Sequence, residues 1–173
     1  MSRWGVAGVG IGRAFIATMI RTLFAGAIAG AAGEIALNIV SYTDMLVRAR
    51  PSSSMPGKVA GRLADAAGIE FAEPGERSDK AETRQEATGA LLGYGMAMVT
   101  AIGYALLRRA GLRLPVPMGG IVLGGAAMAI SDSTAAALGA TDPATWGVSG
   151  WLADIVPHVA FGVVAAATLE FID

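Results

Sequence analysis

Four apolar stretches, at residues 22–43, 87–107, 116–136 and 151–172, narrow what this chain can become more than any motif in it. A helix needs roughly 20 residues to cross the ~30 Å of hydrocarbon in a bilayer, and each stretch is about that long. Lipid offers the backbone no water to bond, so only helices or closed barrels span it. None of the stretches alternates apolar with polar at a period of two, which sets the barrel aside. The expectation is an all-α polytopic membrane protein, a four-transmembrane-helix bundle.

Composition points the same way. Of the 173 residues, 54% are hydrophobic and 16% charged, against roughly 25% charged in soluble domains. Mean hydropathy is +0.55. A single membrane domain accounts for residues 1–173, with no room for a second folded unit. A net charge of −1 and 6% aromatic residues give neither the basic field nor the stacking platforms of a nucleic-acid binder. The absence of cysteine excludes disulfides, thiol nucleophiles and cysteine-held metals. The one histidine, His158, leaves no multi-histidine metal or haem site within one chain. Asp, His and Ser are available for catalysis, and Glu34, Asp154 and His158 for a metal, but no spacing motif supports either. The expectation is a non-enzymatic chain without cofactor or metal.

Residues 1–21 read as an interfacial N-terminal segment, amphipathic or frayed. Arg3 precedes an apolar run, but Gly5, Gly8, Gly10 and Gly12 dilute it and Arg13 interrupts it, which suits neither a signal peptide nor a further span. No strand precedes these glycines, so they are not a phosphate-binding loop. In the long loop 44–86, Arg50-Pro-Ser-Ser-Ser-Met-Pro56 cannot prolong the first helix. Met55, Val59, Leu63 and Ala66–Ala67 then recur every three or four residues, with Lys58, Arg62 and Asp65 between them. That spacing predicts a short amphipathic helix on the membrane surface or against the bundle. Residues 73–86 read as a solvated turn leading into a polar start of span two.

Four spans place both termini on one side of the membrane. Arg3, Arg13, Arg21, Arg108, Arg109 and Arg113 lie on that side, while residues 137–150 carry no Lys or Arg. The positive-inside rule then puts the termini in the cytoplasm, with Arg108, Arg109 and Arg113 able to reach anionic head groups. Trp146 and Trp151 fit interfacial anchors.

Small residues recur at intervals of four: Gly26 and Gly30 in span one, Gly89, Gly93 and Ala97 in span two, Gly120 and Gly124 in span three. Lipid tails solvate leucine as well as a helix does, so association in a membrane relies on close backbone approach. These stripes can build the bundle itself, and a surplus one can pair two copies into a homo-oligomer.

Charges within the hydrocarbon cost about 2.5–3.5 kcal/mol each on insertion scales. Glu34, Asp132 and Asp154 nevertheless fall within spans, with His158, Asn38, Ser41, Ser131, Ser133 and Thr134. Antiparallel threading collects Glu34, Asn38, Asp132, Asp154 and His158 in one half of the membrane. Asp154 and His158 are four residues apart on one helical face, which Gly162 and Ala166 continue. Pro157 removes a backbone donor beside them. Arg48 or Arg84 from the long loop could supply counter-charge. Two readings stay open: interhelical glue at an interface, or a polar pocket that binds or moves something.

Two patches, Ala25-Gly-Ala-Ile-Ala-Gly-Ala-Ala-Gly-Glu34 and Ile155-Val-Pro-His158 through Phe161-Gly162 to Glu170, resemble the YagU-type small bacterial inner-membrane proteins. Leu37-Asn-Ile-Val-Ser-Tyr-Thr-Asp44 with Arg48-x-Arg50-Pro-Ser is similar to actinobacterial membrane proteins. The resemblance implies a bacterial inner membrane and four spans, and no catalytic residue. The functional expectation is an accessory or scaffold subunit, partnered by membrane lipids and by its own copies or a larger complex, with a one-sided polar pocket. The alternative is a small oligomeric transporter or channel for a proton, cation or small polar solute, using Glu34, Asp154 and His158.

Overall fold

The computed structural model describes residues 4–73 and 75–172, with side chains from Gly12 onward. It contains five α-helices and, among the described residues, no strand: α1 (Trp4–Arg48), α2 (Met55–Ala67), α3 (Ser78–Arg109), α4 (Val116–Ala137) and α5 (Gly147–Ile172). Helices α1, α3, α4 and α5 are long and apolar enough to cross a membrane, and α2 is the short amphipathic helix of the first loop. The chain is thus a multi-pass helical membrane protein.

One boundary departs from the sequence reading. Helix α1 runs unbroken for 45 residues, roughly 65 Å at 1.5 Å per residue, so residues 4–21 are no separate or frayed segment. Each glycine there costs about 1 kcal/mol of helix propensity but leaves the hydrogen-bond ladder whole, and the apolar residues around it extend the ladder. Any amphipathic face made by residues 4–11 lies outside the described side chains. Helix α3 starts at Ser78, ahead of the apolar stretch, which is the polar start of span two that the sequence leads one to expect, and these first turns carry α2.

The packing is antiparallel and very close. A Cβ built on Gly26 would lie 2.6 Å from the Ile102 Cα, and one on Gly30 2.5 Å from the Met98 Cα, which sets α1 backbone against α3 backbone. Gly33 meets the Phe161 ring of α5, Gly120 meets Val163, and Gly124 faces the His158 carbonyl. Gly89 rests against Pro56, so the α3 stripe also seats α2. Helix α5 lies between α1 and α4, and α1 between α5 and α3. These small-residue stripes are consumed within the chain.

The core is correspondingly thin: Ala25, Ala29, Ala97, Ala101 and Ala165, with Leu123, Phe161 and Leu169 as the large fully buried side chains. Outward faces carry Ile28, Ile39, Leu91, Val99 and Ile121, all exposed. An inside of alanine and glycine with an outside of large aliphatics suits lipid as the solvent.

Candidate functional site

Antiparallel threading gives the bundle a terminal end, with both termini and the α3–α4 turn, and a distal end, with the 49–77 segment and the α4–α5 loop. All five expected polar residues sit in the distal half. Asp154 and His158 occupy adjacent turns of α5: the His158 Nδ1 lies 2.9 Å from the Asp154 carbonyl oxygen and 3.2 Å from its carboxylate Oδ1. Both side chains are mostly covered, at 15% and 14% exposure. With Nδ1 protonated, the ring donates to Asp154.

Asp132 of α4 is buried and faces this pair closely enough to interact with both Asp154 and His158. The Ser131 hydroxyl lies 3.4 Å from its Oδ1. The Asp154 Oδ2 is buried with no hydrogen-bond partner among the described residues. Two carboxyls therefore meet in a covered place with an imidazole alongside. Glu34 of α1 approaches from the other flank, accepting a hydrogen bond from the Asn38 amide at 3.3 Å. It lies within electrostatic reach of His158 and beside Gly93.

The glycines explain why this cluster forms. Gly124 lets α4 touch the His158 carbonyl, and Gly162 lets α5 touch Gly120 and Gly124. Backbones in contact at that level leave Asp132, about two turns farther along α4, facing the start of α5. Among the described residues no three His, Asp or Glu side chains converge as metal ligands.

Three expectations fail. Arg48 does not enter the cluster: it binds the Asp44 carboxylate at 2.6 Å and the Ser149 hydroxyl at 2.6 Å, tying the end of α1 to the start of α5. Arg50 joins the same carboxylate. Arg84 instead grips Glu76, whose carboxyl also accepts from the Glu73 amide. This holds Glu76 well below the usual carboxylate range, at about 2, chiefly through Arg84 and then through Glu73 and Lys80. Both arginines have carboxylates nearby in sequence, which win over a distant buried site.

Arg108 is the third failure. Its side chain is only 3% exposed, and it donates to the Glu170 carboxylate at 2.7 Å instead of reaching for head groups. Nearby, the Tyr104 hydroxyl is buried against Gly119. Sequence reasoning missed this terminal-end group, although Tyr104 and Arg108 share a helical face and Glu170 ends the last span. Arg109 lies over the Phe15 ring at 5.9 Å.

Fold and site together define a multi-pass α-helical membrane protein with a polar cluster confined to its distal half. Comparison with family models, with curated proteins and with solved structures finds no match for this chain.

Proposed function

We propose that the chain is a non-enzymatic subunit of a bacterial inner membrane, with cytoplasmic termini, serving as an accessory or scaffold component of a homo-oligomer or larger complex. The observation that carries this reading is the apolar layer that separates the distal polar cluster from the terminal-end group of Tyr104, Arg108 and Glu170. Beyond His158 toward the terminal end, the space between the helices holds Leu123, Phe161, Ala165 and Leu169, all buried and apolar. A conduction path needs polar groups through both halves, and this layer interrupts it. The arginines of the terminal end support the orientation, and the resemblance of the first and last spans supports the bacterial inner membrane.

A second reading rests on the cluster around Asp154. Asp132, Asp154 and His158 meet in a covered part of the distal half, a set of groups suited to holding a cation or small polar solute that enters from that side. A transporter using Glu34, Asp154 and His158 would alternate access by moving helices across the apolar layer.

Reconstitution separates the two. The purified protein in vesicles loaded with a pH-sensitive dye should give no proton flux above protein-free vesicles after an acid step. Flux that Glu34→Gln and His158→Ala abolish, in variants that still fold, would establish the transporter instead. Affinity purification in mild detergent should recover a stoichiometric companion or a defined oligomer. A lone monodisperse monomer would count against the accessory role.

A further inference from the structure

Two cavities border α2, share Ile69 and Phe71 as a common wall, and differ in chemistry. The larger, about 500 Å³, is lined by Lys58, Arg62, Asp65 and Glu70, with Gln85 of α3 opposite. The smaller, about 260 Å³, is almost wholly apolar, between Leu63 and Ala64 of α2 and Thr88 and Leu92 of α3.

The charges in the larger cavity are arranged unlike those around them. Just outside it, Arg84 and Lys80 pair with Glu76, and Arg77 pairs with Asp79. Lys58, Arg62, Asp65 and Glu70 are exposed, yet among the described residues none forms an ion pair. Opposite charges three residues apart on a helix readily meet. Here two cations and two carboxylates stay apart around one space, as a ligand with both signs of charge would require.

Depth completes the argument. Thr88 and Leu92 lie in the first turns of the apolar part of α3, so the apolar cavity opens at the distal edge of the hydrocarbon and the charged one stands at head-group height. We propose that the pair is a single site for a phospholipid with a zwitterionic ethanolamine head group. The phosphate binds between Lys58 and Arg62, which are four apart on one face of α2. The primary ammonium donates to Asp65 and Glu70, and one acyl chain fills the cavity between Leu63 and Leu92. A choline head group has no N–H to donate, and a glycerol head group brings no cation to the two carboxylates. The site is therefore selective for the ethanolamine lipid. This assignment is independent of the distal cluster and its role.

The test uses the full chain in detergent, titrated with phosphatidylethanolamine, phosphatidylcholine or phosphatidylglycerol of matched chains and read by native mass spectrometry. The ethanolamine lipid should be retained at least tenfold better than either other. Lys58→Gln with Arg62→Gln should lower its retention tenfold or more. Asp65→Asn with Glu70→Gln should raise phosphatidylglycerol to the level of the ethanolamine lipid. Thr88→Phe, which fills the apolar cavity, should weaken the lipid and spare soluble glycerophosphoethanolamine. Equal retention of all three lipids by the native chain, unchanged in the Lys58/Arg62 variant, would overturn the site. So would competition by glycerophosphoethanolamine at the lipid's own concentration, since that would make it a site for a soluble head group alone.

Discussion

Gly162→Ala is the substitution whose consequence can be worked most fully. A Cβ at this position would lie 2.0 Å from the Gly120 carbonyl oxygen, 2.5 Å from the Gly124 nitrogen and 2.8 Å from the Gly124 Cα. All three are backbone atoms, so no rotamer change relieves the clash. Restoring even a tight 3.0 Å contact requires α4 and α5 to part by about 1 Å at this level. Overpacking of that kind costs about 1–3 kcal/mol, a roughly five- to hundredfold fall in the folded-to-unfolded ratio at 1.4 kcal/mol per decade.

The control is Gly125→Ala, one residue from the seam. A Cβ there meets nothing within 4 Å, and alanine gains up to about 1 kcal/mol of helix propensity over glycine in an exposed helix. Unfolding by sodium dodecyl sulfate, followed by tryptophan emission in mixed micelles, should show the two variants shifting in opposite directions. The same separation should loosen the approach of Asp132 to Asp154 and His158, because Gly124 holds α4 against the His158 carbonyl. If Gly162→Ala unfolds with or after the native chain, the backbone contact does not hold α4 to α5 and the account of the cluster fails with it.

Other outcomes follow from single features. Phe161 is 1% exposed and fills the space over Gly33, so Phe161→Ala should destabilise by about 3–5 kcal/mol in the same unfolding assay. Because the chain has no cysteine, Glu34→Cys and His158→Cys can be labelled singly. Both should react with a small membrane-impermeant thiol reagent from the distal side only, and reaction from the terminal side would contradict the shared half. Glu76 is held at about 2 against an ordinary 4.5, a lowered carboxyl that stabilises the fold fully above about 4.5 and loses its contribution as pH falls toward 2. Amide protection around residues 71–84, corrected for the intrinsic exchange rate at each pH, should therefore fall between pH 4.5 and 2.5 in the native chain. In Glu76→Gln that protection should be low already at pH 6, with no such pH step.

Much of this architecture was legible from residue order because lipid punishes alternatives severely. Twenty apolar residues in a row have only a helix open to them, and the spacing of Met55, Val59 and Leu63 marked α2 to within a residue at either end. The shared half of Glu34, Asp132, Asp154 and His158 followed from counting residues between turns. What escaped was partner choice. Arg48, Arg84 and Arg108 each had several carboxylates within possible reach, and charge alone does not rank them. The unbroken course of α1 escaped too, since four glycines lower helix propensity without breaking a hydrogen bond.

The residue string by itself determined the number of spans, their alternating direction and the end at which the polar groups gather, because hydropathy and length act along one dimension. Only the tertiary structure decided which glycine meets which backbone, and so which carboxyl faces the imidazole, where Arg108 is hidden, and that Lys58, Arg62, Asp65 and Glu70 line one space. Helices in lipid have no large hydrophobic gain to steer their rotation. Contacts a few tenths of an ångström wide choose the neighbours, and such contacts exist only once the helices have met.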